Sequence, residues 1–281
     1  MAFITSSGKP AGPIGQGTWY LGEHGNTFTR ERDALRTGIE MGMTLIDTAE
    51  MYGEGAAETL VGEAIRGYDR ESLYIVSKVY PFNAGKSRIF KSCEASLKRM
   101  GTDYMDLYLL HWRGSVPFAE TVECMEELKD KGLIRAWGVS NLDTEDMQEL
   151  TQVPGGANCA TDQVLYNLSS RGIEYDLLPW LRERRMDVMA YCPLAQMGRL
   201  NKEILKSHTL SYIATDHRAT VSQVMLAFLL AKGVTPIPRT SRPEHTQENA
   251  DASAIHLTAE ELEAIDWAFP APRGKMPLEI V

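Results

Sequence analysis

The chain has 281 residues, 43% hydrophobic and 24% charged, proportions that suit a globular protein and exclude a disordered or collagen-like one. Its 29 basic and 38 acidic residues leave a net charge of −9, which excludes a broad sequence-independent nucleic-acid surface, so any anionic ligand needs a local site. No basic leader followed by an apolar segment opens the sequence and no apolar run reaches transmembrane length, so a cytoplasmic protein without a membrane partner is expected.

In chain order, short apolar runs alternate with longer amphipathic segments from one end to the other. Residues 3–9 read as a small hairpin. Strands are predicted at 14–19, 44–49, 73–79, 105–111, 136–141, 161–167, 187–194 and 234–240. Helices are predicted near 29–41, 56–66, 87–99, 117–131, 143–151, 173–184, 220–232 and 243–252. Thr29 and Ser87 are expected N-caps, Asp143 with Asp146 has the spacing of a capping box, and Gly42, Gly132 and Gly233 stand where left-handed C-cap residues belong. A further capping box, Thr258 to Glu261, opens a final helix, and the Pro- and Gly-rich tail after Pro270 reads as loop. Eight βα units in this length predict a single-domain (β/α)₈ barrel spanning 1–281, with an N-terminal hairpin and an extra C-terminal helix. A doubly wound sheet is the main rival.

Cys93, Cys124, Cys159 and Cys192 form no C-x-x-C pair, so neither a zinc site nor a disulfide framework is expected. Asn167-Leu168-Ser169 matches a glycosylation sequon, which without a secretion signal reads as accidental.

Barrel chemistry sits at the C-terminal ends of strands, which directs attention to polar residues there. The second strand ends in Asp47, with Tyr52 on the following loop; the third ends in Lys78 and the fourth in His111. Singly, such residues are more often caps, packing or surface. Four on consecutive strands converge on one opening. Tyr52 can give a proton to a carbonyl oxygen that is gaining negative charge, but a free phenol titrates near pH ~10 and is a weak acid at neutrality, so a lowered pKa is expected. Lys78 near the phenolic oxygen would supply that lowering, Asp47 would hold the lysine charged and in place, and His111 would orient the carbonyl or share the proton. A Schiff-base enzyme using Lys78 is another chemistry open to the same residues.

The blocks D-T-A-E-M-Y-G, S-K-V, L-L-H-W and W-G-V-S-N, in order and at matching spacing along the whole chain, resemble the signature blocks of the aldo-keto reductase superfamily. The resemblance implies a (β/α)₈ barrel that moves hydride between a nicotinamide cofactor and a carbonyl. It implies that Asp47, Tyr52, Lys78 and His111 form the catalytic tetrad, with Tyr52 as general acid. A regulatory module that keeps fold and cofactor but turns over little is a second reading, disfavoured by the complete tetrad.

The resemblance also places a cofactor, NADPH in preference to NADH. Gly17, Thr18 and Trp19 match the block beside the nicotinamide ribose, with Asp47 adjoining it, while Ser140, Asn141 and Gln163 match residues that hydrogen-bond the carboxamide. Tyr191 matches the aromatic on which the ring stacks, and Cys192 stands where Ser is common. Pro193, Leu194, Gln196 and Gly198 belong to a loop like the one that crosses the pyrophosphate. Ile237, Pro238, Arg239, Thr240 and Ser241 resemble the block at the adenosine 2′-phosphate, and Glu248 and Asn249 match adenine contacts. His245 departs from the usual Arg and lowers the charge beside the phosphate, which Arg242 offsets. Nothing here needs a Rossmann fingerprint, and none is present: Gly15-Gln16-Gly17 is followed by Tyr20 where a third glycine belongs.

Trp19, Tyr80, His111 and Trp112 match positions that line the substrate mouth in the family. The short tail points to an open, permissive pocket. A small carbonyl substrate, no metal, no nucleic-acid partner and a monomer are expected.

Overall fold

The computed structural model describes residues 3–195 and 199–281. Among the described residues are eight strands: β1 (Gln16–Gly17), β2 (Leu45–Asp47), β3 (Tyr74–Val79), β4 (Met105–Leu110), β5 (Ile134–Ser140), β6 (Thr161–Leu165), β7 (Asp187–Tyr191) and β8 (Thr235–Pro236). Each pairs in parallel with the next in sequence, an order that excludes the doubly wound alternative. The sheet closes on itself where the Gly15 and Gly17 N–H groups donate to the Pro236 and Pro238 carbonyls at 2.9 and 3.0 Å, beside a parallel bridge from Gly17 to Arg239. A Cβ on Gly17 would lie 2.9 Å from the Ile237 carbonyl oxygen, so this seam closes only on glycine. The fold is a (β/α)₈ barrel.

Alternation along the strands sorts the side chains. Leu45, Tyr74, Val76, Leu107, Leu109, Met189 and Ile237 pack together inside the barrel with Phe3 and Ala11. The intervening Ile46, Ile75, Val79, Tyr108, Leu110, Val164 and Val188 pack outward against the helices. Stepping two residues along each inward row reaches Asp47, Lys78, His111 and Tyr191. At the opposite end, an antiparallel bridge between Ile4 and Pro10 forms the expected hairpin, and the Phe3 ring sits 5.3 Å from that of Tyr74 to plug the floor.

The helices are α1 (Gly25–Glu40), α2 (Ala56–Ile65), α3 (Ile89–Met100), α4 (Phe118–Asp130), α5 (Thr144–Gln152), α6 (Leu177–Glu183), α7 (Arg199–Ile204), α8 (His208–Asp216), α9 (Val221–Ala231), α10 (Pro243–Asp251) and α11 (Ala259–Ala268). Two capping boxes fall as expected, Asp143–Asp146 on α5 and Thr258–Glu261 on α11. Thr29 and Ser87 are not caps. Helix α1 begins four residues before Thr29, and α3 begins after Arg88, where the Gly85 carbonyl accepts from the Arg88 and Ile89 N–H groups and a backbone turn replaces the hydroxyl. The segment 173–184 divides into a 3₁₀ turn, Gly172–Glu174, and α6, because the Asp176 carboxylate accepts from the Leu177 N–H at 2.9 Å and restarts the helix. Helices α7 and α8 are an insertion that periodicity misses, since neither reaches the length over which a helical repeat stands out.

Candidate active site

The chain leaves β2 at Asp47 and turns into a 3₁₀ segment, Tyr52–Gly55, in which Gly53, Glu54 and Gly55 all have positive φ (55°, 53° and 92°). This left-handed run, open to glycine at little cost, brings the chain back so that Tyr52 overhangs the barrel. The Glu50 carboxylate fastens the loop to the one after β3, accepting from the Tyr80 N–H at 2.7 Å and the Asn83 amide at 3.1 Å.

Lys78 is wholly buried, and its ammonium donates to Asp47 Oδ2 at 2.7 Å, the Thr48 carbonyl at 2.9 Å and the Tyr52 hydroxyl at 3.0 Å. All three of its protons are taken. The other Asp47 oxygen accepts from the Gln163 amide at 2.7 Å. Burial pushes the Asp47 carboxyl up and the Lys78 ammonium down from their ordinary values, and their direct contact opposes both shifts. The expected lowering of the Tyr52 pKa does not occur: burial, then the Asp47 carboxylate, hold the phenol well above the ordinary tyrosine value. His111 sits edge-on to Tyr52, ring centres 5.7 Å apart, and burial together with the Lys78 charge pushes its imidazole down to about 2, so it is neutral. Its Nδ1 is buried without a partner. Lys78 is poorly placed for Schiff-base chemistry, having no exposed surface and no free proton position.

These groups open into a cavity of ≈ 160 Å³. Gly17, Thr18, Trp19, Asp47, Tyr52, His111, Trp112, Ser140, Asn141, Gln163, Tyr191, Cys192, Pro193, Ile237 and Arg239 line it, so most of the predicted residues converge. Its polar wall is cross-linked: Ser140 donates to the Gln163 carbonyl at 2.7 Å, the Asn141 amide to the His111 carbonyl at 3.1 Å, and the Tyr191 hydroxyl to Asn141 Oδ1 at 2.7 Å. A smaller hollow takes in Gly17, Pro238, Thr240 and Asn249. Around it stand exposed Arg239, Arg242 and His245, with the start of α10 alongside, and neither arginine has an ion-pair partner among the described residues.

Some expectations land elsewhere. Tyr80 is not part of the cavity lining; it stacks on Phe82 at 4.7 Å and meets Trp112 edge-on at 5.7 Å, backing the residue that does line it. Leu194 packs partly into the hydrophobic core, while Ser241 and Glu248 border neither hollow. Gln196 and Gly198 lie outside the described residues. The sequon asparagine is structural, since Asn167 is buried, accepts from Ser169 and Ser170 and donates to the Cys192 carbonyl at 3.0 Å. Met51, Ile280 and Val281 line the cavity without having been foreseen. Met51 was adjacent to a recognised residue; nothing in the tail's composition announces the other two. Their presence corrects the expectation that the tail leaves the pocket open.

A closed parallel barrel, with a buried carboxylate–ammonium–phenol chain beside an amide-rich wall at the strands' C-terminal ends, has the architecture of a barrel oxidoreductase. The chain belongs to the Aldo/keto reductase family, whose sequence profile matches residues 13–268. It is 55% identical over 269 residues to the methylglyoxal reductase YeaE of Escherichia coli (strain K12), covering 95% of this chain and 94% of that one. It is 33% identical over 246 residues to the glyoxal reductase of Bacillus subtilis (strain 168), covering 87% and 84%. Among solved structures, an aldo/keto reductase from Klebsiella pneumoniae in complex with NADP and acetate superposes with a TM-score of 0.96 at 50% identity, covering 100% of this chain and 99% of that one. A Klebsiella pneumoniae aldo-keto reductase in complex with NADPH superposes at 0.95 and 50% identity over 100% of both chains.

Proposed function

We propose that this protein reduces small aldehydes and ketones, reactive α-dicarbonyls included, to alcohols with NADPH, and that Asp47, Tyr52, Lys78 and His111 carry the proton chemistry. The observation that carries the reading is the hydrogen bond from Lys78 to the Tyr52 oxygen. Because that oxygen accepts from the ammonium, its own proton turns away from Lys78 toward the cavity, where a carbonyl oxygen would receive it. Burial and Asp47 keep the proton on Tyr52 until an acceptor arrives, so the phenol works as an acid. Lys78 then steadies the phenolate left behind, and Asp47, held by Gln163, keeps Lys78 in place. Neutral His111 retains an N–H with which to orient the carbonyl.

The residues present suit a nicotinamide cofactor, since amide donors and acceptors share one cavity with the Tyr191 ring and with Arg239, and neither Arg239 nor Arg242 has an ion-pair partner among the described residues. Bound there, the nicotinamide supplies the hydride. Ser140, Asn141 and Gln163 hold its carboxamide, Tyr191 its ring, and Gly17, Thr18 and Trp19 adjoin its ribose. Cys192, Pro193 and Leu194 would follow the pyrophosphate; Gln196 and Gly198 of the same sequence block lie outside the described residues. Arg239 and Thr240, with Ile237, Pro238, Arg242 and His245, would receive the 2′-phosphate and Asn249 would meet the adenine, Ser241 and Glu248 being their sequence neighbours outside both hollows. Arg239 suits a phosphate through its planar fork of donors, which favours NADPH. Trp19, Trp112 and His111 face the substrate. A monomer working as one domain in a reducing cytoplasm completes the proposal, and none of the four cysteines is in a disulfide.

The test is a panel of aldehydes, ketones and α-dicarbonyls assayed with NADPH and NADH in parallel by loss of reduced-nicotinamide absorbance. Turnover of several carbonyls, faster with NADPH, is expected. Oxidation of neither cofactor by any carbonyl would remove the reading, and equal rates at limiting cofactor would remove the role given to Arg239.

A further inference from the structure

The segment after α11 lies outside the part of the chain that matches the family profile, and it forms no helix or strand. A segment with no internal hydrogen-bond ladder is ordered only by what its side chains grip. Its first grip is ionic. The Lys275 ammonium donates to Asp143 Oδ1 and, at 2.7 Å, to Asp176 Oδ2, with Thr144 Oγ1 at 3.5 Å. Both carboxylates are helix caps, Asp143 on α5 and Asp176 on α6, and the Thr144 hydroxyl already ties them by donating to Asp176 at 2.8 Å. Lys275 therefore clamps the tail onto the two loops that follow β5 and β6, the strands that present Ser140 and Gln163.

From this clamp the chain runs across the barrel mouth. Met276 Cβ would lie 3.5 Å from a Cβ on Gly172, Leu278 packs against the main core, and Ile280 and Val281 line the catalytic cavity. The backbone of Val281 reaches the Tyr191 hydroxyl. Ile280 and Val281 are half exposed, so they form a rim of the cavity and depend on the upstream grip for their place.

We propose that Lys275 is a positioning residue: by bridging Asp143 and Asp176 it lays residues 276–281 across the barrel mouth, so that Ile280 and Val281 form an apolar wall against which the carbonyl substrate is held. The proposal rests on the carbonyl-reductase reading above. Lys275 touches no cavity residue and acts only through the tail. The clamp is 39% exposed at Lys275 and 27% at each carboxylate, so dissolved salt screens it.

The experiment compares wild type, Lys275→Ala and Lys275→Arg at saturating NADPH, in low and high salt, with hydrogen exchange of residues 276–281 in the same samples. Lys275→Ala should raise KM for the carbonyl about three- to tenfold while kcat changes less than about twofold. Exchange of the tail should quicken, and Lys275→Arg should restore both. Wild-type KM should climb with salt toward that of Lys275→Ala, which should respond little. Unchanged exchange in Lys275→Ala would overturn the clamp, and faster exchange with unchanged KM would overturn the wall. If wild type turned over no carbonyl, the reductase reading would fail, while the exchange data would still decide the clamp.

Discussion

Tyr52 shows why a sequence motif needs its surroundings before its chemistry is read. A free phenol needs a neighbour that lowers its pKa, yet burial and Asp47 raise that of Tyr52, and under the proposed mechanism Lys78 would act instead by directing the proton and receiving the phenolate. With Tyr52 as the proposed acid, reduction requires its protonated form. Since its folded pKa lies above the ordinary tyrosine value, the acid form is complete throughout the neutral range, and the rate should fall only on the alkaline side of that value. His111, pushed down to about 2, adds no acidic limb near neutrality. A pH profile of kcat with a carbonyl substrate checks both points. Tyr52→Phe removes the proton together with one acceptor of the Lys78 ammonium, so kcat should drop about 10²- to 10⁴-fold. Cofactor affinity, followed by quenching of protein fluorescence, should stay near wild type. Asp47, Lys78 and His111 were legible because each is a polar group at the C-terminal end of a predicted apolar strand. Tyr80 was misplaced because it and Trp112 both follow strand ends, and only packing decides which ring reaches the opening.

Within β6, Asp162 carries a cost. It is completely buried on the opposite face from Gln163, and beyond the Leu142 backbone its carboxylate has no hydrogen-bond partner among the described residues. Burial raises its pKa well above 3.8, and the Leu142 N–H only partly offsets this. With the folded value raised, the folded state holds the proton more tightly, so the penalty is absent below 3.8 and grows as pH rises toward the folded value. Asp162→Asn should therefore stabilise the barrel at neutral pH by about 1–3 kcal/mol. Thermal melts at acidic and neutral pH should show a difference that widens with pH; a less stable variant at neutrality would overturn this. The caps follow the same division between local and tertiary causes. The Asp143–Asp146 box was legible because both partners lie in one turn, while Thr29 and Ser87 have the right chemistry but stand where the backbone does not begin a helix.

For the molecule as a whole, closure of β8 onto β1 is what makes one site from two distant ends of the chain. The Gly17 seam sets Thr18 and Trp19 beside Ile237 and Arg239. A ligand spanning that seam binds only the closed barrel and should stabilise it by mass action, about 2.7 kcal/mol at a hundredfold excess over Kd. NADPH should raise Tm by several degrees, NADH by less at equal concentration, and Arg239→Ala should narrow the gap. The net charge of −9 gives no hint of the proposed anion site, because a bulk average hides the local arginines Arg239 and Arg242.

The sequence by itself determined the eight-unit alternation and the expected convergence of Asp47, Lys78 and His111 at strand ends with Tyr52 on the loop after Asp47, because periodicity is local and marks where each strand stops. The tertiary structure alone decided the direction of the Tyr52 shift, the neutrality of His111, the retreat of Tyr80 behind Trp112 and the reach of Ile280 and Val281 into the cavity. Each of these depends on burial, or on contacts between residues far apart in the chain. Desolvation and long-range packing are properties of the assembled barrel and leave no periodic mark in the order of its residues.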